Sequence, residues 1–297
     1  MFTHILVCCD GSEFSLDAAQ TAVAFARRQP CRVTLLYVLD LHAVLPPFIE
    51  VWEGAVGPRE VAHYQQKARA FVEEPIAKIF HDAGLEYEWR FALGHPVARI
   101  NEIATKIGAD LIVVGSRGLG TWKRFLLGSV SDGVLHHAPC SVLIVRGENA
   151  PCGSKGFQQI LFASDGSESA GRAGQTAVEL AKTFTASLHA LNVIMGFGAT
   201  DPEFILLTTT DLEIAALRSL QQVRDSLQPI LAETGVTCTF HQEGGEAGYN
   251  ILRFAEEHAS DLVVLGSRGL GGFDRMLLGS VSTYIAHHAS CPVLIVR

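Results

Sequence analysis

The amino-acid sequence predicts an α/β protein with two tandem, doubly wound, Rossmann-like domains, each built on a parallel sheet. Three observations lead to this prediction. The second half of the chain repeats the first, short apolar runs alternate with helical patterns, and glycines follow the runs that resemble buried strands. Alternating strands and helices are typical of parallel sheets with right-handed crossovers.

The repeat is most evident at the end of each half. Residues 115–146 align without a gap to residues 266–297 and share G-S-R-G-L-G, L-L-G-S-V-S, H-H-A and V-L-I-V-R. Near the start of each half, the string V-C-C-D-G-S at 7–12 matches F-A-S-D-G-S at 162–167. A Gly/Pro/Ser-rich stretch between the halves suits a short linker, so we predict domains at 1–147 and 156–297.

The sequence of the first copy predicts five strands and four helices in alternating order. Leu16, Ala19, Val23 and Ala26 recur at helical spacing and give the first helix one apolar face. The run L-I-V-V from Leu111 is continuously apolar, as expected of a strand covered on both faces. The predicted strands are 5–9, 33–39, 86–92, 111–115 and 142–145, and the predicted helices are 15–28, 61–83, 96–106 and 129–137.

One proline falls inside the second helical pattern of each copy. These residues are Pro75, in E-P-I, and Pro229, in Q-P-I. A proline inside a helix removes one backbone hydrogen bond. We therefore expect a kink or a break at both positions.

Composition excludes several classes of function. The formal net charge is -8 and the basic residues form no cluster, which argues against a nucleic-acid-binding surface. No apolar run is long enough to cross a membrane, and the first residues show no signal-peptide pattern, so we predict a cytoplasmic protein. The seven cysteines are scattered without C-x-x-C spacing, as is typical of reduced, structural thiols.

Glycines and serines follow the fourth predicted strand with a spacing that both copies keep. Gly115 ends that strand, Gly118 follows, and Gly128 precedes the last helix. A helix start supplies unpaired amides to an anion, here with the hydroxyls of Ser129 and Ser131. A plain turn would explain any one glycine, but the repeated spacing favours a phosphate site. Arginines nearby could bind phosphate oxygens, namely Arg117 and Arg124 in the first copy and Arg268 and Arg275 in the second.

An aspartate ends the first strand of each copy. Asp10 and Asp165 are each followed by Gly-Ser. In a doubly wound sheet, ligands bind at the carboxyl ends of the strands where the strand order reverses. If strands one and four flank that point, Asp10 and Gly115 face one crevice, where the carboxylate can accept ribose hydroxyls. The alternative is an Asp-Gly turn that caps the first helix.

These features resemble the universal stress protein family in its tandem two-domain form. The residues that carry the resemblance are Asp10, the G-x2-G-x9-G-[ST] signature and the closing V-L-I-V-R strand, and it covers about 3–146 and 157–297. The resemblance implies a five-stranded sheet of flavodoxin type in the order 3-2-1-4-5. It also implies binding of ATP or AMP, in some members with a divalent ion such as Mg²⁺, and pairing through the last strands.

The resemblance also assigns residues to parts of the nucleotide. It implies that Asp10 and Asp165 lie on the ribose side and that Val38 and Val193 lie near adenine. It implies phosphate contacts in the first copy from Gly118, Gly128, Ser129, Val130 and Ser131. In the second copy, where Gly266 corresponds to Gly115, the implied phosphate contacts are Gly269, Gly279, Ser280, Val281 and Ser282.

The last predicted strand of each copy is a candidate for pairing the two halves of the chain. Strand 142–145 is apolar, and an unpaired apolar edge strand promotes aggregation. Pairing it with 293–296 of the other half would close a pseudo-dimer within one chain. A homodimer of two such chains is a further expectation.

A metal site and a dedicated catalytic site have weaker support in the sequence. The pairs His136-His137 and His287-His288 could suggest a metal, but adjacent histidines point to different faces, and a cap or interface role is favoured. The chain lacks G-x-G-x-x-G after its first strand, a Walker A loop and a repeated catalytic triad. We expect a nucleotide-binding stress-response or regulatory protein that is not primarily a catalyst. The alternatives are a slow Mg²⁺-dependent ATPase, and an interaction scaffold without nucleotide that uses 41–58 and 194–210.

Overall fold

The computed structural model describes residues 1–40, 57–118, 127–146, 156–194, 209–269 and 278–297. The chain divides into two compact units, whose main segments are Phe2–Arg146 and Phe157–Arg297. Each unit has the same alternation of strands and helices, as expected of a tandem repeat.

The first unit begins with a buried strand and alternates regularly. Its strands are β1 (His4–Cys9), β2 (Arg32–Leu39), β3 (Glu88–Leu93), β4 (Leu111–Gly115) and β5 (Ser141–Val145). Its described helices are α1 (Glu13–Ala26), α2 (Pro58–Ala68), α3 (Glu74–Asp82), α4 (Pro96–Ile107) and α5 (Ser129–His137).

The second unit repeats this pattern. Its strands are β6 (Gln159–Ser164), β7 (Ser187–Ile194), β8 (Cys238–Gly244), β9 (Leu262–Gly266) and β10 (Val293–Val296). Its described helices are α6 (Glu168–Phe184), α7 (Thr209–Thr234), α8 (Ala247–Glu257) and α9 (Ser280–His288).

Both sheets have the predicted strand order. In the first unit the order is β3-β2-β1-β4-β5, and in the second it is β8-β7-β6-β9-β10, with every described pairing parallel. Right-handed crossovers to opposite sides of β1 place α1 and α3 on one face and α4 and α5 on the other. The predicted fold class, an α/β protein of two doubly wound parallel-sheet domains, is confirmed.

The central strands are buried because helices cover both faces. Every residue of β1, β4 and β5 is buried, as is every residue of β9 and β10. The continuous apolar run predicted from Leu111 is therefore a strand covered on both sides. Because these central strands are buried along their length, polar groups beside them are accessible at the strand ends.

One carboxylate in each unit joins the starts of the two strands that flank the crevice. Asp110, which precedes β4, accepts hydrogen bonds from the amides of Thr3 at 2.7 Å and His4 at 3.0 Å. Asp261, which precedes β9, accepts bonds from the amides of Gln158 at 2.6 Å and Gln159 at 2.9 Å. The repeat therefore preserves how β1 and β4, or β6 and β9, are placed side by side.

The predicted interruption at proline occurs in one unit only. Pro75 follows a five-residue π-helical segment, Arg69–Glu73, that separates α2 from α3. Helix α7 continues through Pro229 without a break, and a kink at that proline stays a prediction. Because proline lacks an amide hydrogen, the wider π turn accommodates Pro75 at the start of α3, whereas α7 tolerates the missing bond.

Candidate functional site

A cavity of about 510 Å³ lies at the carboxyl edge of the first sheet, where the strand order reverses between β1 and β4. This is the position at which doubly wound sheets bind ligands. All nine residues predicted for the first copy line it, namely Asp10, Val38, Gly115, Arg117, Gly118, Gly128, Ser129, Val130 and Ser131.

The second unit has a matching cavity, also of about 510 Å³. It lies between β6 and β9, the counterparts of β1 and β4. The nine residues predicted for the second copy line it as well, namely Asp165, Val193, Gly266, Arg268, Gly269, Gly279, Ser280, Val281 and Ser282. The structure thus brings each predicted set together around one space.

Helix α5 begins at the cavity with its first amides directed out of the helix. Its N-cap, Gly128, has an extended backbone (φ -68°, ψ 151°) and, as a glycine, makes no side-chain capping bond. The Gly128 amide donates to the Ser116 carbonyl at 2.8 Å, which closes the loop. The amides of Ser129, Val130 and Ser131 have no acceptor within the helix. This helix start therefore presents three N–H donors and the favourable end of the helix dipole, a geometry that suits an anion.

Helix α9 begins in the same way. Gly279 is its N-cap, with φ -66° and ψ 149° and without a side-chain cap. The Gly279 amide donates to the Ser267 carbonyl at 2.9 Å. The two units therefore present the same backbone geometry to an anion.

The second serine of each signature has a structural bond that the sequence did not reveal. The buried Ser131 hydroxyl donates to the Gly115 carbonyl at 2.6 Å, and the Ser282 hydroxyl donates to the Gly266 carbonyl at 2.7 Å. These hydroxyl hydrogens join the helix start to the end of the central strand. What Ser131 and Ser282 offer to an anion is their backbone amide, and Ser129 and Ser280 supply the exposed hydroxyls.

Asp10 lies against the glycine of the signature. Its Oδ1 accepts a hydrogen bond from the Ser12 amide at 2.9 Å and another from the Ser12 hydroxyl. Its Oδ2 lies so near Gly118 that a Cβ there would collide with it. In the second unit, Asp165 Oδ1 accepts the Ser167 amide at 3.0 Å, and a Cβ on Gly269 would lie 2.5 Å from Asp165 Oδ2.

Asp10 also forms the turn that was the alternative interpretation of this residue. Asp10 binds the amide two residues on, across Gly11, which has a positive φ of 85°. The cap of α1, however, is Ser12, whose hydroxyl accepts the Ser15 amide at 3.2 Å. Asp10 therefore shapes the turn without capping the helix, and its carboxylate remains at the cavity wall.

Gly115 has a packing role. A Cβ on Gly115 would lie 2.7 Å from the carbonyl oxygen of Phe14, and one on Gly266 would lie 2.6 Å from the Ser169 hydroxyl. These glycines let α1 and α6 approach the central strands closely. They line the cavity, but their necessity follows from helix packing.

The two arginines sit differently in the two cavities. The Arg117 guanidinium lies over the Phe14 ring, with 4.7 Å from Cζ to the ring centroid. The position of Phe14 is Ser169 in the second unit, and Ser169 accepts the Arg268 amide at 3.3 Å. Arg124 and Arg275 lie outside the described residues.

The apolar wall of each cavity was not predicted beyond Val38 and Val193. In the first unit, Leu36, Ile100 and Leu127 complete it, and in the second the counterparts are Leu191, Ile251 and Leu278. Leu36 stands two residues before Val38 on the same face of β2, so strand alternation could have identified it. A flat aromatic base would fit such a wall.

The cavities also differ at the end of their first strand. Cys8 and Cys9 line the first, where the second has Ala163 and Ser164. Burial raises the pKa of both thiols, and the Asp10 carboxylate adds to the effect. These cysteines are therefore uncharged and poorly nucleophilic.

The histidine pairs interact with their own helices. The Nδ1 atoms of His136 and His137 donate to the carbonyls of Asp132 and Gly133, each at 2.9 Å. Within the described ranges, no three His, Cys, Asp or Glu side chains form a group that could hold a metal ion. In the same part of the chain, no helix is long and apolar enough to span a membrane.

The fold and the two cavities define a tandem α/β protein with a ligand crevice at each strand-order reversal. A family model described as the universal stress protein family matches residues 1–146 and 156–297. A universal stress protein of Mycolicibacterium smegmatis is 30% identical over 300 residues, which cover 99% of this chain and 96% of that protein. The chain belongs to the universal stress protein family, in its tandem two-domain form.

Solved structures and shorter relatives agree with this assignment. The crystal structure of a universal stress protein from Archaeoglobus fulgidus is 26% identical, with a TM-score of 0.71, and the match covers 99% of this chain and 98% of that one. A putative universal stress protein of Staphylococcus haemolyticus is 34% identical over 155 residues, which are 50% of this chain and 88% of that protein.

Proposed function

We propose that each unit binds an adenine nucleotide, ATP or AMP, and that the protein acts as a stress-response or regulatory sensor. The observation that carries this proposal is the pair of helix starts at α5 and α9, each with three outward amides beside a cavity. A phosphate is the anion that best matches several N–H donors at a helix start.

The other cavity walls suit the rest of a nucleotide. Each cavity, at about 510 Å³, lies within the range of about 300–1,000 Å³ typical of small-molecule sites. The apolar wall formed by Leu36, Val38 and Ile100 suits the faces of a purine. The Asp10 carboxylate, which lines the same cavity beside Gly118, suits a ribose hydroxyl.

A direct titration tests this proposal. We expect ATP or AMP to bind at two sites per chain, and ligand at about 100 times its dissociation constant to stabilise each unit by about 2.7 kcal/mol. Adenosine, which lacks phosphate, is the control and is expected to bind much more weakly. Equal shifts with adenosine and AMP would contradict a phosphate site.

We propose that catalysis is at most a minor activity. The only carboxylates predicted at the cavities are Asp10 and Asp165, and Oδ1 of each is already an acceptor in its turn. Mg²⁺ prefers one or two carboxylates together with phosphate oxygens, so it would bind mainly through a nucleotide and supply charge neutralisation. A slow Mg²⁺-dependent ATPase is the alternative, and many turnovers per minute with labelled ATP and Mg²⁺ would favour it.

The second alternative is an interaction scaffold without nucleotide. Its segments, 41–58 and 194–210, lie mostly outside the described residues. The absence of any thermal shift with ATP or AMP would favour it. A cytoplasmic location, pairing of 142–145 with 293–296 and association of two chains stay predictions, and the mass of the protein in solution tests the last.

A further inference from the structure

Three histidines of the second unit form a cluster below α8. His189 lies on β7, His241 on β8, and His258 directly after α8. The distances between their ring centroids are 5.2, 5.3 and 5.6 Å. His189 Nδ1 and His241 Nε2 share one hydrogen bond at 3.0 Å, so one of these two nitrogens is unprotonated.

Phe254 connects this histidine cluster to α8. Its ring stacks on the ring of His258, with 3.8 Å between the centroids. It packs edge-to-face against His241 and His189, with centroid distances of 4.7 and 6.0 Å. The cluster is thus one of the contacts between the carboxyl half of α8 and the sheet, beside the ion pair of Arg253 with Glu243. It helps to hold α8 against β7 and β8.

The same elements form a wall of the second cavity. Ala247 and Ile251, in the amino half of α8, line that cavity, as does Leu191 of β7. Leu191 is the register partner of His241 in the β7–β8 pair. A change in the contact between α8 and the sheet therefore reaches residues that would touch the nucleotide.

Few charges offset protonation of this cluster. Glu243 of β8 favours charge on His241, but the Arg253 guanidinium pairs with Glu243 at 2.6 Å and with Glu257 at 3.0 Å. Lys182 of α6 lines the same surface depression as His189. Arg253 of α8 thus neutralises both carboxylates, Glu243 on β8 and Glu257 on α8.

The imidazoles of His189 and His241 therefore resist protonation in the folded protein. Burial lowers the pKa of His189, with smaller contributions from the charges of His241 and His258. Burial and His258 also lower the pKa of His241. Because these pKa values lie below the unfolded value of about 6.5, the packing is fully stable above that pH and weakens as the pH falls through the folded values.

Among the described residues of the first unit, no histidine cluster occupies the corresponding place. The positions of His189 and His241 are Thr34 and Arg90 there, by the matching strand registers. Its buried histidine, His4, bonds the Thr34 hydroxyl at 2.9 Å and the Ile107 carbonyl at 3.0 Å. The two cavities therefore differ in the titratable groups that hold their α4 or α8 wall.

We propose that proton binding by the histidine cluster loosens α8 and lowers the nucleotide affinity of the second cavity. This regulation rests on the proposed function, since it assumes that the second cavity binds a nucleotide. Protonation of both His189 and His241 places like charges within contact distance, which separates α8 from the sheet and widens the wall at Ile251. Mild acid would then release the nucleotide of the second site.

The test uses a protein in which Gly118→Ala has blocked the first site, with and without His189→Gln and His241→Gln. AMP affinity is measured at about pH 7.5 and about pH 5.5 for both proteins. Glutamine can keep a hydrogen bond at these positions but does not titrate, and any titration of the AMP phosphate is common to both proteins. We expect acid to weaken binding about three- to tenfold more in the protein with the histidines. Equal acid effects in the two proteins would overturn the proposal.

Hydrogen exchange of the nucleotide-free wild-type chain provides an independent measurement. After correction for intrinsic rates, α8 amides are expected to lose protection at about pH 5.5 while those of α1 keep it. Unchanged protection of α8 would also overturn the proposal, even if the glutamine variant failed to fold. A lack of AMP binding at both pH values, together with a normal loss of α8 protection, would instead refute the proposed function and leave the acid response of the cluster established.

Discussion

At the scale of single residues, the glycines of each signature are required for different reasons. Gly11 and Gly166 have positive φ values of 85° and 80°, which the turn after each aspartate requires. Gly118 is needed because an aspartate oxygen occupies the space where its Cβ would be. The repeat identifies these positions in the sequence, but only the folded structure shows which neighbour excludes a side chain.

Replacing Gly118 by alanine tests that close approach. Its Cβ would displace the Asp10 carboxylate, so we expect the first site to lose at least about tenfold in AMP affinity, about 1.4 kcal/mol, while the second keeps its own. Gly269→Ala is expected to do the reverse. The control is Gly171→Ala in α6, where a Cβ would meet nothing within 4 Å and which is expected to leave both affinities unchanged. Two intact sites in Gly118→Ala, counted by calorimetric titration, would contradict this role.

The sequence predicts only one of the two roles of Ser131. Its amide lies at the helix start, but its hydroxyl is bonded to the Gly115 carbonyl inside the protein. A side chain that bonds a backbone carbonyl sixteen positions away leaves no periodic signal in the sequence. This bond therefore could not be predicted, whereas the glycine spacing could.

Ser131→Ala is expected to affect stability more than binding. It leaves a buried carbonyl without its hydroxyl donor, which costs about 1–3 kcal/mol in the free energy of unfolding. Ser129→Ala removes an exposed hydroxyl at the same helix and is expected to cost less than about 0.5 kcal/mol. Urea denaturation of both variants makes the comparison. Equal stabilities would show that the Ser131 bond contributes little.

At the scale of elements, the predicted strands and helices were correct in kind and nearly correct in extent. Strand β4 and helix α5 begin and end where their apolar run and Gly-Ser start predict. The single helix predicted over 61–83 is instead two helices with a π-helical segment between them. Periodicity cannot distinguish a π turn from an α turn, because one extra residue shifts the apolar pattern only slightly.

The two prolines of the long helices make an element-scale prediction. Pro229 lies inside continuous α7, where it lacks the hydrogen bond to the preceding turn. Pro75 instead follows the π-helical segment, whose wider turn accommodates a residue without an amide hydrogen. We expect Pro229→Ala to stabilise the second unit by about 1–3 kcal/mol. Pro75→Ala is the matched control and is expected to change the stability of the first unit by less. A larger gain at Pro75, measured by thermal unfolding, would contradict this difference.

At the scale of the whole molecule, the internal repeat made the fold predictable. Two copies of one pattern showed that each half is a complete structural unit, and alternating elements indicated a parallel sheet. The order 3-2-1-4-5 did not follow from periodicity, since alternation alone permits several orders. It came from the family resemblance, which rested on the signature residues.

The repeat also conceals differences between the units, and the cysteines show one of them. Cys8 and Cys9 are buried at the first cavity, and burial also raises the pKa of Cys31 to about 11 and that of Cys238 to about 12. Every described cysteine is a free thiol.

We expect iodoacetamide near neutral pH to modify Cys8 and Cys9 at least about tenfold more slowly than the partly exposed Cys31 and Cys140, because reaction requires an accessible thiolate. Mass spectrometry of the modified peptides measures the order. Denatured protein, in which all cysteines react, is the control. Rapid alkylation of Cys9 in the native protein would contradict its burial in the cavity wall.

The central claim is that each unit binds a phosphate through the free amides at one helix start. Proline at the first helical position removes one amide at little structural cost, and the extended backbone of Gly128 and Gly279 suits a residue that precedes proline. Ser129→Ala and Ser280→Ala, which keep the amide, are the matched controls and are expected to lose less affinity than the prolines.

The decisive measurement is the number of AMP molecules bound per chain in the wild type, Ser129→Pro, Ser280→Pro and the double variant. Loss of a hydrogen bond to a charged group weakens binding by about 1.5–3 kcal/mol. At an AMP concentration that just saturates the wild type, we therefore expect two AMP molecules per chain in the wild type, one in each single variant and none in the double variant. Two molecules bound by the folded double variant would contradict the claim.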